Sequence, residues 1–231
     1  MNKKLILFDI DGTLILTRGI AAGLMAECIS IVLKRPIQWS MKDFVGNTDR
    51  SIINTLLRRN GAIEPSLDDM SEKALEIYLK HLSREINRDG VVNILPGVEM
   101  LLAELHRDER FALGLLTGNV REGARIKLTG HRLYDYFPIG AFGNDALKRE
   151  LLPPFAIQRA EKYYHLFFNR GDIWIVGDSV NDIKCAHANH LHSLAVTTGH
   201  QKKEELQEYR PTVLIPDLSD VQKVMDIFLS S

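Results

Sequence analysis

A chain of 231 residues with 45% hydrophobic and 26% charged residues has enough apolar mass for one full core and a smaller lobe. Its formal net charge of −1, with both signs scattered along the chain, leaves no basic footprint for nucleic acid or anionic lipid, so neither is expected as a partner. Cys28 and Cys185 belong to no CxxC or Cys/His zinc pattern; two buried thiols in a reducing, cytoplasmic setting are expected.

The chain begins with a basic pair and the apolar run Leu5 to Phe8, which imitates a signal peptide, but Asp9 and Asp11 interrupt it too early. Residues 4–8 are therefore expected as a buried first strand ending at Asp-x-Asp-Gly. From about Thr17 to Arg88 the pattern is helical, with helices expected at Ile20 to Leu33, Ser51 to Leu57 and Leu67 to Ile86. Thr48 is placed to cap the second of them. No later stretch approaches the roughly 18 consecutive apolar residues needed to span a bilayer.

Beyond Asp89-Gly90 and the turn at Pro96-Gly97 the grammar changes. Apolar runs at Phe111 to Leu116, Ile173 to Val176, Leu194 to Val196 and Val213 to Ile215 alternate with helical stretches at Val98 to His106, Pro154 to Tyr164 and Asn181 to Ala188. That alternation predicts an α/β fold, a doubly wound parallel sheet covered by helices on both faces. Strand one joins this later sheet, so residues 1–16 plus 89–231 are expected as a core domain, with 17–88 as an inserted all-helical domain.

In such sheets ligands gather outside the carboxyl ends of the strands. Candidates for that edge are Asp9-Ile10-Asp11-Gly12-Thr13, Thr117-Gly118-Asn119, Gly177-Asp178-Ser179-Val180-Asn181-Asp182, and the basic pair Lys148-Arg149 ahead of a helix. Three carboxylates, Asp9, Asp11 and Asp178, converging on one point repel unless a cation joins them, which implies a hard metal ion. Mg2+ takes oxygen ligands and shares its shell with substrate phosphate, and no His/Cys set argues for zinc. Thr117 with neighbouring amides could hold phosphate oxygens beside a fixed cation. These parts suffice for phosphoryl transfer.

The bland readings differ in strength. Asp-x-Asp-Gly alone could be a turn after a strand, and Gly177 to Asp182 an acidic helix start; an EF-hand is excluded because its glycine comes at the sixth position of the loop, whereas this one is fourth in its run. His187, His190 and His192 lack a fixed i, i+4 geometry and read as surface histidines, Trp39 and Trp174 as packing residues, and Arg50 as a solvated charge. No GxxxxGK[ST] or GxGxxG occurs, so nucleoside-triphosphate and dinucleotide readings have no local support.

Together and in this order, Phe8-Asp9-Ile10-Asp11-Gly12-Thr13-Leu14, Leu116-Thr117-Gly118-Asn119 and Gly177 to Asp182 resemble three of the four motifs of the haloacid dehalogenase-like superfamily. The helical block then resembles the cap inserted after the first motif in phosphoglycolate phosphatase-like members. The resemblance implies a phosphatase acting on a small phosphorylated metabolite. By it, Asp9 is the nucleophile and Asp11 the general acid and base; Asp9 and Asp178 bind Mg2+ by side chain and Asp11 by its carbonyl, with Asp182 steadying the metal's water or the basic residue. Gly12, Thr13, Thr117, Gly118 and Asn119 fall to phosphate binding. The third motif departs from the commonest pattern, a lysine closely followed by proline; Ala146 to Pro154 is similar to a branch with arginine, which favours Arg149 over Lys148. A sugar phosphomutase shares these residues, and a receiver-like module phosphorylated on Asp9 shares the sheet but needs no lid. Asp11 argues against dehalogenation. Oligomeric state and the substrate-selecting residues are not fixed by the sequence.

Overall fold

The computed structural model describes residues 3–88 and 90–230. Asp89, where the return from the insertion is expected, lies outside them, as do Met1 and Asn2 at the start of the signal-like segment. In chain order the elements are β1 (Lys4–Phe8), β2 (Ile15–Leu16), α1 (Ile20–Leu33), α2 (Asp49–Arg59), α3 (Leu67–Glu85), β3 (Asn93–Ile94), α4 (Val98–Arg107), β4 (Phe111–Leu116), α5 (Arg121–Thr129), β5 (Ile139–Ala141), α6 (Pro153–Tyr164), β6 (Ile173–Gly177), α7 (Val180–Ala188), β7 (His192–Val196), α8 (Lys203–Glu208), β8 (Val213–Ile215) and α9 (Val221–Leu229).

The main sheet has six parallel strands in the order β5-β4-β1-β6-β7-β8. β1, β4 and β6 are buried along their whole length, as expected of parallel strands covered on both faces. Successive side chains of β1 alternate between two apolar layers. Ile6 and Phe8 join Trp174, Leu101 and Phe228 on one side, while Leu5 and Leu7 meet Ala156, Ala160, Cys185 and Ala186 on the other. The small residues of α6 and α7 let those helices lie close to the sheet. Trp174 is 2% exposed and stacks on His192 at 4.7 Å, so it is a packing residue; Trp39 is 40% exposed, edge-on to Phe44.

The expected helical insertion is present. Helices α1, α2 and α3 pack on one another through Met25, Ile29, Ile53, Leu56, Tyr78 and Leu82, all buried in the same apolar cluster as the sheet face. Thr48 caps α2, its hydroxyl accepting from Ser51 N at 3.2 Å. The chain leaves for the helices through β2 and returns through β3, and the two pair antiparallel with Ile15 opposite Ile94. This two-stranded neck, the edge strand β5 and helices α5, α8 and α9 were not expected. The two-residue strands of the neck carry too little periodicity to be read locally, and α5 (REGARIKLT) is mostly polar.

Candidate active site

Register places the chemistry. Phe8 lies beside Leu115 on one side and Val176 on the other, so the residues that follow β1, β4 and β6 emerge side by side. Asp9 continues the ladder with its amide donating to Val176 O at 2.9 Å. The chain then turns through Gly12 at φ +85°, a left-handed conformation open to glycine. Leu14 N and Ile15 N donate to Ile10 O, and Thr198 Oγ1 donates to Gly12 O at 2.5 Å.

Space makes a second demand on glycine here. A Cβ at Gly12 would fall 2.3 Å from Asp178 Oδ2, and one at Gly199 would fall 1.6 Å from the same atom. Asp178 is thus seated between two backbones with no room for a side chain. Together Asp9, Asp178 and Asp182 offer oxygen atoms within 4.8 Å of one another, all from buried residues. This set suits a hard, oxygen-seeking cation.

Arg149 is buried, and Lys148 is exposed. Arg149 Nη2 lies 2.9 Å from Asp9 Oδ1, 2.6 Å from Asp182 Oδ1 and 3.1 Å from Leu116 O. Asp182 turns its other oxygen to Ser179 N and Ser179 Oγ in a capping box at the start of α7. It therefore holds Arg149 and the helix end, and it does not line the cavity above Asp9.

Charge in this cluster is strained by burial. Burial pushes the Asp9 carboxyl up to about 6, with Asp182 and Asp11 adding to the rise and Arg149 opposing it. Burial, then the charges of Asp9 and Asp182, holds Asp178 well above the usual carboxylate range. Burial works against the charge on Arg149, yet Asp182 and Asp9 outweigh it and keep the guanidinium above its ordinary range. A further cation would relieve the excess negative charge.

Thr117, Gly118 and Asn119 follow β4 and line the same cavity. Asn119 donates from Nδ2 to Thr117 Oγ1 at 2.9 Å and to Asp11 Oδ2 at 2.8 Å. The Thr117 hydroxyl accepts from Asn119 and retains its own hydrogen for an incoming oxygen. Gly118 is required by a close approach: its Cβ would sit 2.1 Å from Asn47 O, where the segment leading into α2 crosses over.

Thr13 corrects the sequence reading. It is 1% exposed, its Oγ1 is buried without a hydrogen-bond partner, and it does not line the cavity. The left-handed turn at Gly12 precedes a side chain that is packed out of the cavity.

The structure adds residues that the sequence did not single out. Lys127 of α5 is buried, with Nζ 2.6 Å from Asp11 Oδ2 and 2.7 Å from Asn119 Oδ1. Asp49, in the first turn of α2, is 6% exposed and accepts from Val120 N at 2.9 Å. Burial pushes its carboxyl up to about 6 against the opposing pull of Lys127 and the Val120 amide. Both line the cavity of about 120 Å3, with Tyr78, Arg18 and His200. Neither residue is legible locally: Lys127 lies in a mostly polar segment, and Asp49 reads as an ordinary acidic residue at a helix start.

Other sequence candidates stay apart from this site. Arg50 pairs with Glu72, His187 meets Arg210 O, and His192 lies against Trp174. Cys28 and Cys185 are buried free thiols. Among the described residues, no helix is long and apolar enough to cross a membrane.

Comparison with known proteins bears on the family and the fold. The sequence model of the haloacid dehalogenase-like hydrolase family matches residues 6–196. A phosphoglycolate phosphatase of Vibrio vulnificus is 26% identical over 99% of this chain and 97% of its own, and one of Nitrosococcus oceani is 24% identical over 97% of each. The crystal structure of a predicted phosphoglycolate phosphatase from Haemophilus somnus superposes with a TM-score of 0.73 at 20% identity, covering 97% of this chain and 99% of that one; this last likeness bears on the fold alone.

Proposed function

Because the chain belongs to the haloacid dehalogenase-like hydrolase family, we propose that it is a phosphatase that hydrolyses a small phosphate monoester through an aspartyl-phosphate on Asp9. The carrying observation is the placement of two carboxylates from one loop in one cavity, each beside its own buried cation, Asp9 with Arg149 and Asp11 with Lys127. The names of the full-length relatives support the reaction class.

Asp9 attacks phosphorus while Arg149 holds the carboxylate and Thr117 donates to a phosphoryl oxygen. As the ester bond breaks, Asp11 gives a proton to the departing oxygen; it then takes one from the water that hydrolyses the acyl phosphate. The buried carboxylates fit Mg2+, which the side chains of Asp9 and Asp178, the latter given room by Gly12 and Gly199, would hold together with the Asp11 carbonyl. When bound, the ion would neutralise charge on the phosphoryl oxygens. Helices α1 to α3 cover the cavity and limit it to small leaving groups. Both thiols are buried and free, which suits a reducing cytoplasm.

Phosphate release from phosphoglycolate, other phosphorylated metabolites and an aryl phosphate, with Mg2+ and with chelator, tests the proposal beside Asp9→Asn. Mg2+-dependent release that the variant lacks is expected. Turnover by Asp9→Asn at the wild-type rate would remove Asp9 as nucleophile, and transfer of phosphate within a sugar phosphate without release would replace hydrolysis by the mutase reaction.

A further inference from the structure

We infer that Lys127 is the positioning residue for the acid/base step, fixing Asp11 so that its free oxygen addresses the leaving group. This rests on the phosphatase reading and names a function for a group that the nucleophile and phosphate site do not require.

Burying an ammonium is costly unless its partners recover the lost hydration. The Lys127 side chain is 4% exposed, and its hydrogen bonds go to Asp11 Oδ2 and Asn119 Oδ1. The Asp11 side chain is 40% exposed, on a loop that turns at Gly12. Such a side chain would sample several rotamers. Two donors, Lys127 Nζ at 2.6 Å and Asn119 Nδ2 at 2.8 Å, converge on its single oxygen Oδ2. They leave Oδ1 for the substrate.

The anchor of this network is the phosphate site itself. Asn119 bonds Thr117 Oγ1 with the same Nδ2 that holds Asp11 and accepts from Lys127 on its other side-chain atom. The Asn119 amide is thereby locked in one orientation. Lys127, Asn119, Thr117 and Asp11 form one unit that sets the distance between the phosphoryl group and the proton donor. Small displacements of such a donor are costly in rate.

The step at stake balances simply. Asp9 forms the new bond to phosphorus, the bond from phosphorus to the ester oxygen breaks, and the Asp11 proton goes to that oxygen. An alkoxide needs the proton; an aryloxide such as p-nitrophenolate leaves without it. Loss of positioning therefore separates the two substrate types, which general loss of structure does not.

The test compares kcat/KM, which covers steps through departure of the leaving group, for an alkyl and an aryl phosphate in the wild type and in Lys127→Met, Lys127→Gln and Lys127→Arg. General acid catalysis contributes about 10²–10⁴-fold, so Lys127→Met is expected to lose about 10²-fold on the alkyl ester and less than about tenfold on p-nitrophenyl phosphate. Lys127→Arg, which keeps a buried cation, should restore part of the alkyl activity. If Lys127→Met does not fold, as judged by its thermal melt, the alkyl-to-aryl ratio of Lys127→Gln decides. Equal losses on both esters, or none on either, overturn the role given to Lys127 while leaving the phosphatase reading intact. A wild type that releases phosphate from neither ester nor any other monoester overturns both.

Discussion

Replacing Asp49 by Asn tests the electrostatics of the closed cavity without touching the nucleophile. A carboxyl moved from its ordinary 3.8 to about 6 makes the folded state about 3 kcal/mol less stable once the group is ionised in both states. The sign follows from proton counting. Between those two values the folded protein binds a proton that the unfolded chain has released, so stability falls as pH rises through about 4 to 6 and the full penalty stands above that window. Asn keeps an oxygen for the Val120 amide and carries no charge to desolvate. Asp49→Asn should therefore match the wild type near pH 4 and exceed it by up to about 3 kcal/mol at pH 7.5, a rise in Tm on the order of 10 °C at about 2–4 °C per kcal/mol for a chain of this size. Asp9 and Asp178 also titrate, but in both proteins, so the difference isolates Asp49. Urea denaturation of the pair at pH 4.5 and 7.5 gives the measurement; a gap that does not widen with pH would refute the buried, strained carboxyl.

Other perturbations reach different parts of the site. Arg149→Met leaves Asp9 and Asp182 without their shared cation, and should cost about 3–5 kcal/mol in chemical denaturation as well as abolishing phosphate release. Gly199→Ala drives a methyl against Asp178; the expected result is a loss of about 1–3 kcal/mol in stability from overpacking, together with loss of any Mg2+-induced rise in Tm. Thr48→Ala removes the acceptor for Ser51 N and the donor to Leu147 O, and should lower stability by about 1–2 kcal/mol in urea.

The resemblance to known motifs was legible because the relevant residues are contiguous: each cluster lies within a few positions after an apolar strand. Arg149 was favoured over Lys148 by resemblance, and the fold separates them by burial, turning one inward between Asp9 and Asp182 and the other to solvent. Thr13 shows the opposite case, since the first motif's resemblance assigns it to phosphate binding while its side chain is buried away from the cavity.

The sequence by itself determined the alternating α/β core and the helical insertion, because hydrophobic periodicity and short-range turn chemistry are local properties. Tertiary structure alone decided which distant residues complete the site. Lys127 reaches Asp11 from α5 across the core, Asp49 meets the Val120 amide only after the insertion has folded over the sheet edge, and the glycines at 12 and 199 acquire their purpose only when Asp178 lies between them. Contacts across such separations depend on the register of β1 with β4 and β6, which no local pattern encodes.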